Sequence, residues 1–82
     1  MIDDENILFA DGFEEAFVGV IRSCGAVPKA CYDYDKCIEV LTSRDNMSHE
    51  EAVEFFEFNV IGAYVGEYTP AFLDSVALAE IR

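Results

Sequence analysis

The sequence predicts an α+β fold in which a small antiparallel sheet, a β-hairpin plus an edge strand, packs against a two-helix hairpin. Three observations carry this. β-branched and aromatic residues cluster in Phe17-Val18-Gly19-Val20-Ile21 and return after a Gly/Pro-containing stretch as Ala30-Cys31-Tyr32. Tyr34, Cys37, Ile38 and Leu41 fall at i, i+3, i+4, i+7 behind Asp33. Ser48-His49-Glu50-Glu51 is a capping box that opens a second helix.

Taken in chain order, residues 1–6 are expected to lie outside the packed body as a flexible end. Ile7-Leu8-Phe9 reads as a brief strand or ordered arm, closed by the turn dipeptide Asp11-Gly12. Phe13–Cys24 supports two readings. Phe13, Ala16, Phe17, Val20, Ile21 and Cys24 recur at helical spacing, with Asp11 and Glu14 as a capping-box-like start and Gly25 as a stop, which makes a mostly α fold the alternative. The β-branched centre interrupted by Gly19 favours the hairpin, and that reading is adopted.

From Asp33 a helix of about ten residues follows, with Asp33 as its cap and Arg44 in the last turn, where the helix dipole favours a cation. After Asp45-Asn46-Met47, the second helix is expected to run from Ser48 through Val65 and to end at Gly66. Its apolar residues, from Ala52 to Val65, cover more than one stripe. Burial on two sides is therefore expected, the second cover being the C-terminal segment or another copy of the chain. Pro70 ends the helical pattern, Ala71-Phe72-Leu73 reads as an edge strand, and Asp74 introduces a short helical turn through Ala77, Leu78 and Ile81 within residues 74–82.

With 82 residues the chain has room for one domain, because a chain this short buries only about 60% of its unfolded surface. A hydrophobic fraction of 52% places it among folding sequences. No apolar run approaches the roughly 18 to 20 residues that span a bilayer, and Met1-Ile2-Asp3-Asp4-Glu5 is acidic where a signal peptide is basic, so a soluble cytoplasmic protein is expected. Three cysteines, Cys24, Cys31 and Cys37, fit reduced buried thiols better than a disulfide framework. Seventeen acids against five bases give a net charge of −12, which works against contact with nucleic-acid backbones and anionic membranes. Residues 1 to 15 carry six acids and no base, and residues 45 to 81 carry eight acids and no base.

Candidate chemistry is sparse. Cys24, Cys31, Cys37 and His49 offer soft ligands, but zinc sites bring cysteines in close pairs and here the nearest two are six residues apart. A cysteine nucleophile with His49 as base finds His49 in a solvated first helical turn beside Glu50 and Glu51. Asp33-Tyr34-Asp35 could approach a divalent cation, yet capping a helix accounts for it more simply. No catalytic residue, cofactor or metal is expected. Glu50, Glu54 and Glu57 form a ridge with carboxylates about 5 to 6 Å apart along the helix. Rows of that kind imitate the anions of a nucleic acid, whereas the simpler account is a solvated face that keeps an apolar protein soluble.

The stretches Phe13-Glu14-Glu15-Ala16-Phe17-Val18-Gly19-Val20, Tyr32-Asp33-Tyr34-Asp35-Lys36-Cys37-Ile38-Glu39-Val40-Leu41, Glu50 to Glu67 and Thr69-Pro70 resemble a group of short, uncharacterised phage and prophage proteins across most of residues 7 to 73. The resemblance implies an origin in a phage or mobile element and brings no activity or catalytic residue. Small accessory proteins of that kind act by binding a host enzyme, a defence complex or a phage partner. The expectation is a non-enzymatic protein-binding module, with Glu50, Glu54, Glu57, Asn59, Glu67 and Tyr68 as contact residues and a homodimer through the 48–65 helix. A nucleic-acid mimic that blocks a DNA- or RNA-binding site is the alternative.

Overall fold

The structure is a computed structural model that describes residues 6–76 and 78–81. The end predicted to be flexible falls, apart from Asn6, outside the described residues, as does Ala77 of the last expected turn. Ile7 is buried and anchors an arm without strand pairing, so that Leu8 and Phe9 stand exposed beside it. The arm ends in a turn at Asp11-Gly12, where Gly12 adopts φ 92°, a region that β-carbons disfavour. Arg44 closes over this turn, donating from Nη1 to the Gly12 carbonyl at 2.7 Å and lying 5.7 Å from the Phe13 ring centroid. The cation in the last turn of a helix thus also pins the arm to the core.

The hairpin reading holds. A short 3₁₀ turn at Glu14–Ala16 leads into β1 (Phe17–Ile21), which pairs antiparallel with β2 (Lys29–Asp33). A bulge between Phe17 and Gly19 shifts the register by one residue. β2 is the central strand of the order β1-β2-β3, and Ala30, Cys31 and Tyr32 are all buried in it.

The third strand departs from the antiparallel expectation: β3 (Ala71–Leu73) pairs with β2 in parallel, Tyr32 opposite Phe72. Both helices lie between β2 and β3 in the chain, and that long crossover is what parallel neighbours require. The sheet is therefore mixed, in a small α+β fold.

α1 (Tyr34–Arg44) starts where Asp33 accepts from the Lys36 amide at 3.3 Å and ends where the Asp45 amide donates to the Leu41 carbonyl at 3.1 Å. Its buried stripe is Cys37, Ile38, Val40 and Leu41. α2 (His49–Phe56) opens with the full capping box: the Glu51 amide donates to the Ser48 hydroxyl at 3.2 Å, and the Ser48 amide donates to the Glu51 carboxylate at 2.9 Å. The core joins Ile7, Phe13, Ala16, Ala30 and Tyr32 to the buried faces of both helices, centred on Phe56. Phe56 meets Phe13, Tyr34 and Phe72 edge-on at centroid distances of 5.5, 5.4 and 5.0 Å.

The second helix is shorter than its apolar run suggests. The α-helix stops at Phe56, a π-turn occupies Glu57–Ile61, and the Gly62 amide closes it by donating to the Glu57 carbonyl, five residues back, at 3.0 Å. Residues 63–65 are not helical. Local competition explains the stop. Asn59 gives its side-chain amide to the Phe55 carbonyl at 3.2 Å, and Thr69 holds the following segment by accepting from the Val65 amide at 2.9 Å and donating to the Gly66 carbonyl at 2.6 Å. The expected burial on two sides is corrected accordingly: Phe58, Tyr64 and Val65 are exposed at 86%, 77% and 62%, and Phe55 and Ile61 are exposed as well. The C-terminal segment forms a 3₁₀ turn at Leu78–Glu80. Among the described residues, no helix is long and apolar enough to cross a membrane.

Candidate functional site

Where the α-helix gives way to the π-turn, the chain swings out and leaves an open groove of about 470 Å³ against the N-terminal arm. Leu8, Phe9 and Ala10 form one wall. Asn59, Val60, Ala63 and Val65 form the other, while Phe13 and Phe72 connect the groove to the core and Thr69-Pro70 closes one end. Asp11 supplies the sole ionisable side chain in this lining. Such a surface offers apolar contact with a few polar anchors, and π-turns are enriched at functional positions because the extra residue re-aims its neighbours.

The residues singled out in the sequence are dispersed. Asn59 stands in the groove wall and also lines an adjoining hollow of about 400 Å³ with Glu54, Phe55 and Phe58. Glu50 and Glu54 are exposed on α2, and Glu57, also exposed, begins the π-turn. Glu67 is exposed and faces a separate hollow with Lys29 and Tyr64. Tyr68 is half-buried against the core rather than offered to solvent. The wall that sequence reasoning passed over is the arm, Leu8 to Ala10, whose Ile7-Leu8-Phe9 run reads only as a brief strand or ordered arm. Val60, Ala63 and Val65 belong instead to the apolar run expected to need a second cover; Phe9 and Val65 are more than half exposed.

Glu57 is held in place by Tyr34, whose phenol donates to its carboxylate at 2.8 Å. That hydrogen bond, with burial and the nearby Glu57, Asp74 and Asp35 charges, pushes the Tyr34 pKa from 10.0 up to about 12. A raised folded-state value means that the contact contributes fully below pH 10, and that its contribution is lost as pH rises through 12. The Tyr34→Phe variant is expected to show a shallower fall in stability across that window than the wild type, measured by urea denaturation at successive pH values. Equal slopes would refute the linkage.

The thiols divide. Cys31 and Cys37 are buried, and burial pushes the Cys37 pKa up to about 12, the behaviour of an inert core thiol. Cys24 is exposed in the hairpin loop, contrary to the expectation that all three are buried. His49 is exposed in the first turn of α2, and Asp33 serves as the cap of α1. Among the described residues, no group of three or more His, Cys, Asp or Glu side chains is placed to hold a metal ion. No protein-family model, no curated protein and no solved structure matches the chain.

Proposed function

We propose that the chain is a small, non-enzymatic accessory protein of phage type that binds and modulates a protein of the host cell or of a defence system, with the groove as its contact surface. The observation that supports this reading is the apolar groove, in whose lining Phe9 and Val65 are each more than half exposed, with Phe58, also more than half exposed, in the hollow adjoining it. Large exposed apolar patches mark interaction sites in proteins of this size. Charge selects the partner's chemistry. Residues 45 to 81 carry eight acids and no base, so two copies meeting through the 48–65 segment would bring like charges together, whereas an apolar segment flanked by Lys and Arg is complementary. A homodimer through that segment is the less favoured occupant.

The test is quantitative affinity capture from host lysate at two ionic strengths, comparing the wild type with Phe9→Asp, Val65→Asp and a Glu50→Lys/Glu54→Lys/Glu57→Lys triple variant. A charge placed in the groove is expected to weaken capture of the same stoichiometric partner by at least about tenfold. Capture that survives both groove variants overturns the reading. The alternative, a nucleic-acid mimic, draws on the exposure of Glu50, Glu54 and Glu57. It requires that the triple variant abolish capture, that high salt do the same, and that the groove variants be silent.

A further inference from the structure

We infer that the free edge of β1 is a self-association site at which two copies of this chain pair antiparallel, β1 to β1, joining their sheets into one of six strands. Among the described residues β1 pairs with a strand on one side only, β2, so beyond the Phe17 amide, which donates to the Glu14 carbonyl, its outer edge has no strand partner. Its side chains are unusually apolar for an open edge, with Phe17, Val18 and Ile21 exposed at 42%, 56% and 44%. Charge identifies the occupant. Ala16 to Tyr32 contains no Asp or Glu and carries only Arg22 and Lys29, in a chain whose net charge is −12. Two strongly acidic copies repel through most faces, and this hairpin is the acid-free exception.

The strand sequence also fits its own reverse. Full antiparallel overlap sets Gly19 opposite Gly19, Val18 opposite Val20 and Phe17 opposite Ile21. It brings Arg22 opposite Ala16, beside Glu14 and Glu15 of the second copy. Arg22 and Glu15 form no ion pair among the described residues, and both are exposed. The two-fold symmetry makes each such contact occur twice. Gly19 lies at the axis with open space where a side chain would project, so the sheet face beside the paired strands is unobstructed there. The bulge between Phe17 and Gly19 shortens the regular part of the edge, so the expected dimer is reversible.

Sedimentation equilibrium and light scattering, from about 10 μM to about 1 mM, test this because mass action makes a reversible dimer concentration-dependent. The mass is expected to rise from 9.2 kDa toward twice that value. Val18→Lys, at an exposed position, and Arg22→Glu are each expected to weaken dimerisation by about tenfold or more, since like charges on paired strands repel. The double variant Arg22→Glu/Glu15→Arg restores it. Circular dichroism establishes that each variant is folded. A monomer at every concentration overturns the inference. So does a dimer indifferent to Val18→Lys and Arg22→Glu but dissociated by Phe58→Asp, which would place the contact on the helical face. Partner capture by Val65→Asp is read separately, because the inference does not rest on the groove.

Discussion

Replacing Phe56 with alanine is expected to cost about 3–5 kcal/mol, the range for deleting a buried aromatic ring. A domain of 82 residues is stabilised by roughly 4–12 kcal/mol at 0.05–0.15 kcal/mol per residue, so this one change consumes much of the total. Phe56 is fully buried, and its ring is the common partner of Phe13 from just beyond the Asp11-Gly12 turn, Tyr34 from α1 and Phe72 from β3. No neighbour can collapse into the vacated space without breaking one of the other contacts. Urea denaturation followed by circular dichroism is expected to show a midpoint lowered by about a quarter or more. Phe58→Ala, two residues on and 86% exposed, is expected to stay within about 0.5 kcal/mol of the wild type. Equal losses for the two would mean that the core is centred elsewhere.

Gly62→Ala is expected to destabilise by about 1–3 kcal/mol, the cost of forcing a methyl group against fixed backbone atoms. A β-carbon at Gly62 meets the Phe58 carbonyl oxygen at 2.9 Å and the Glu57 carbonyl oxygen at 3.1 Å, and both are backbone atoms that cannot rotate aside. The hydrogen bond from the Gly62 amide to Glu57 that closes the π-turn has to lengthen, and the exit toward Ala63 and Val65 shifts with it. Amide hydrogen exchange is expected to show lost protection at Gly62 with α1 unaffected. Because the displaced segment is one wall of the groove, partner capture is expected to fall by more than the loss of stability explains. Retained protection at Gly62 would show that the turn tolerates the methyl group.

The elements that could be read from the sequence are those whose signals act over a few residues. The Ser48–Glu51 capping box, the Asp33 cap, the Asp11-Gly12 turn and the hairpin around Gly25 each satisfy backbone groups with their own near neighbours. Their formation needs no knowledge of the rest of the chain. Of the glutamates that helical spacing aligns, Glu50 and Glu54 stand exposed on α2, while Glu57 falls on the π-turn that follows it.

Two features were decided only by tertiary structure, and a third by a local balance that hydrophobic pattern does not report. The direction of β3 depends on where the crossover through α1 and α2 delivers the chain, and neither Ala71, Phe72 nor Leu73 encodes it locally. The early end of the second helix came from a balance. Ala52 to Val65 looks helical by composition, but Asn59, Thr69 and the close approach at Gly62 turn the chain out after Ile61. Hydrophobic pattern reports which residues avoid water, not which of them find cover. The run predicted to be buried on two sides found cover on one, leaving Phe58, Tyr64 and Val65 in solvent and placing Val60 and Ala63 opposite the arm. The sequence by itself determined the local elements and the charge of the surface. The groove and the free β1 edge exist because distant segments meet, or fail to meet, in three dimensions.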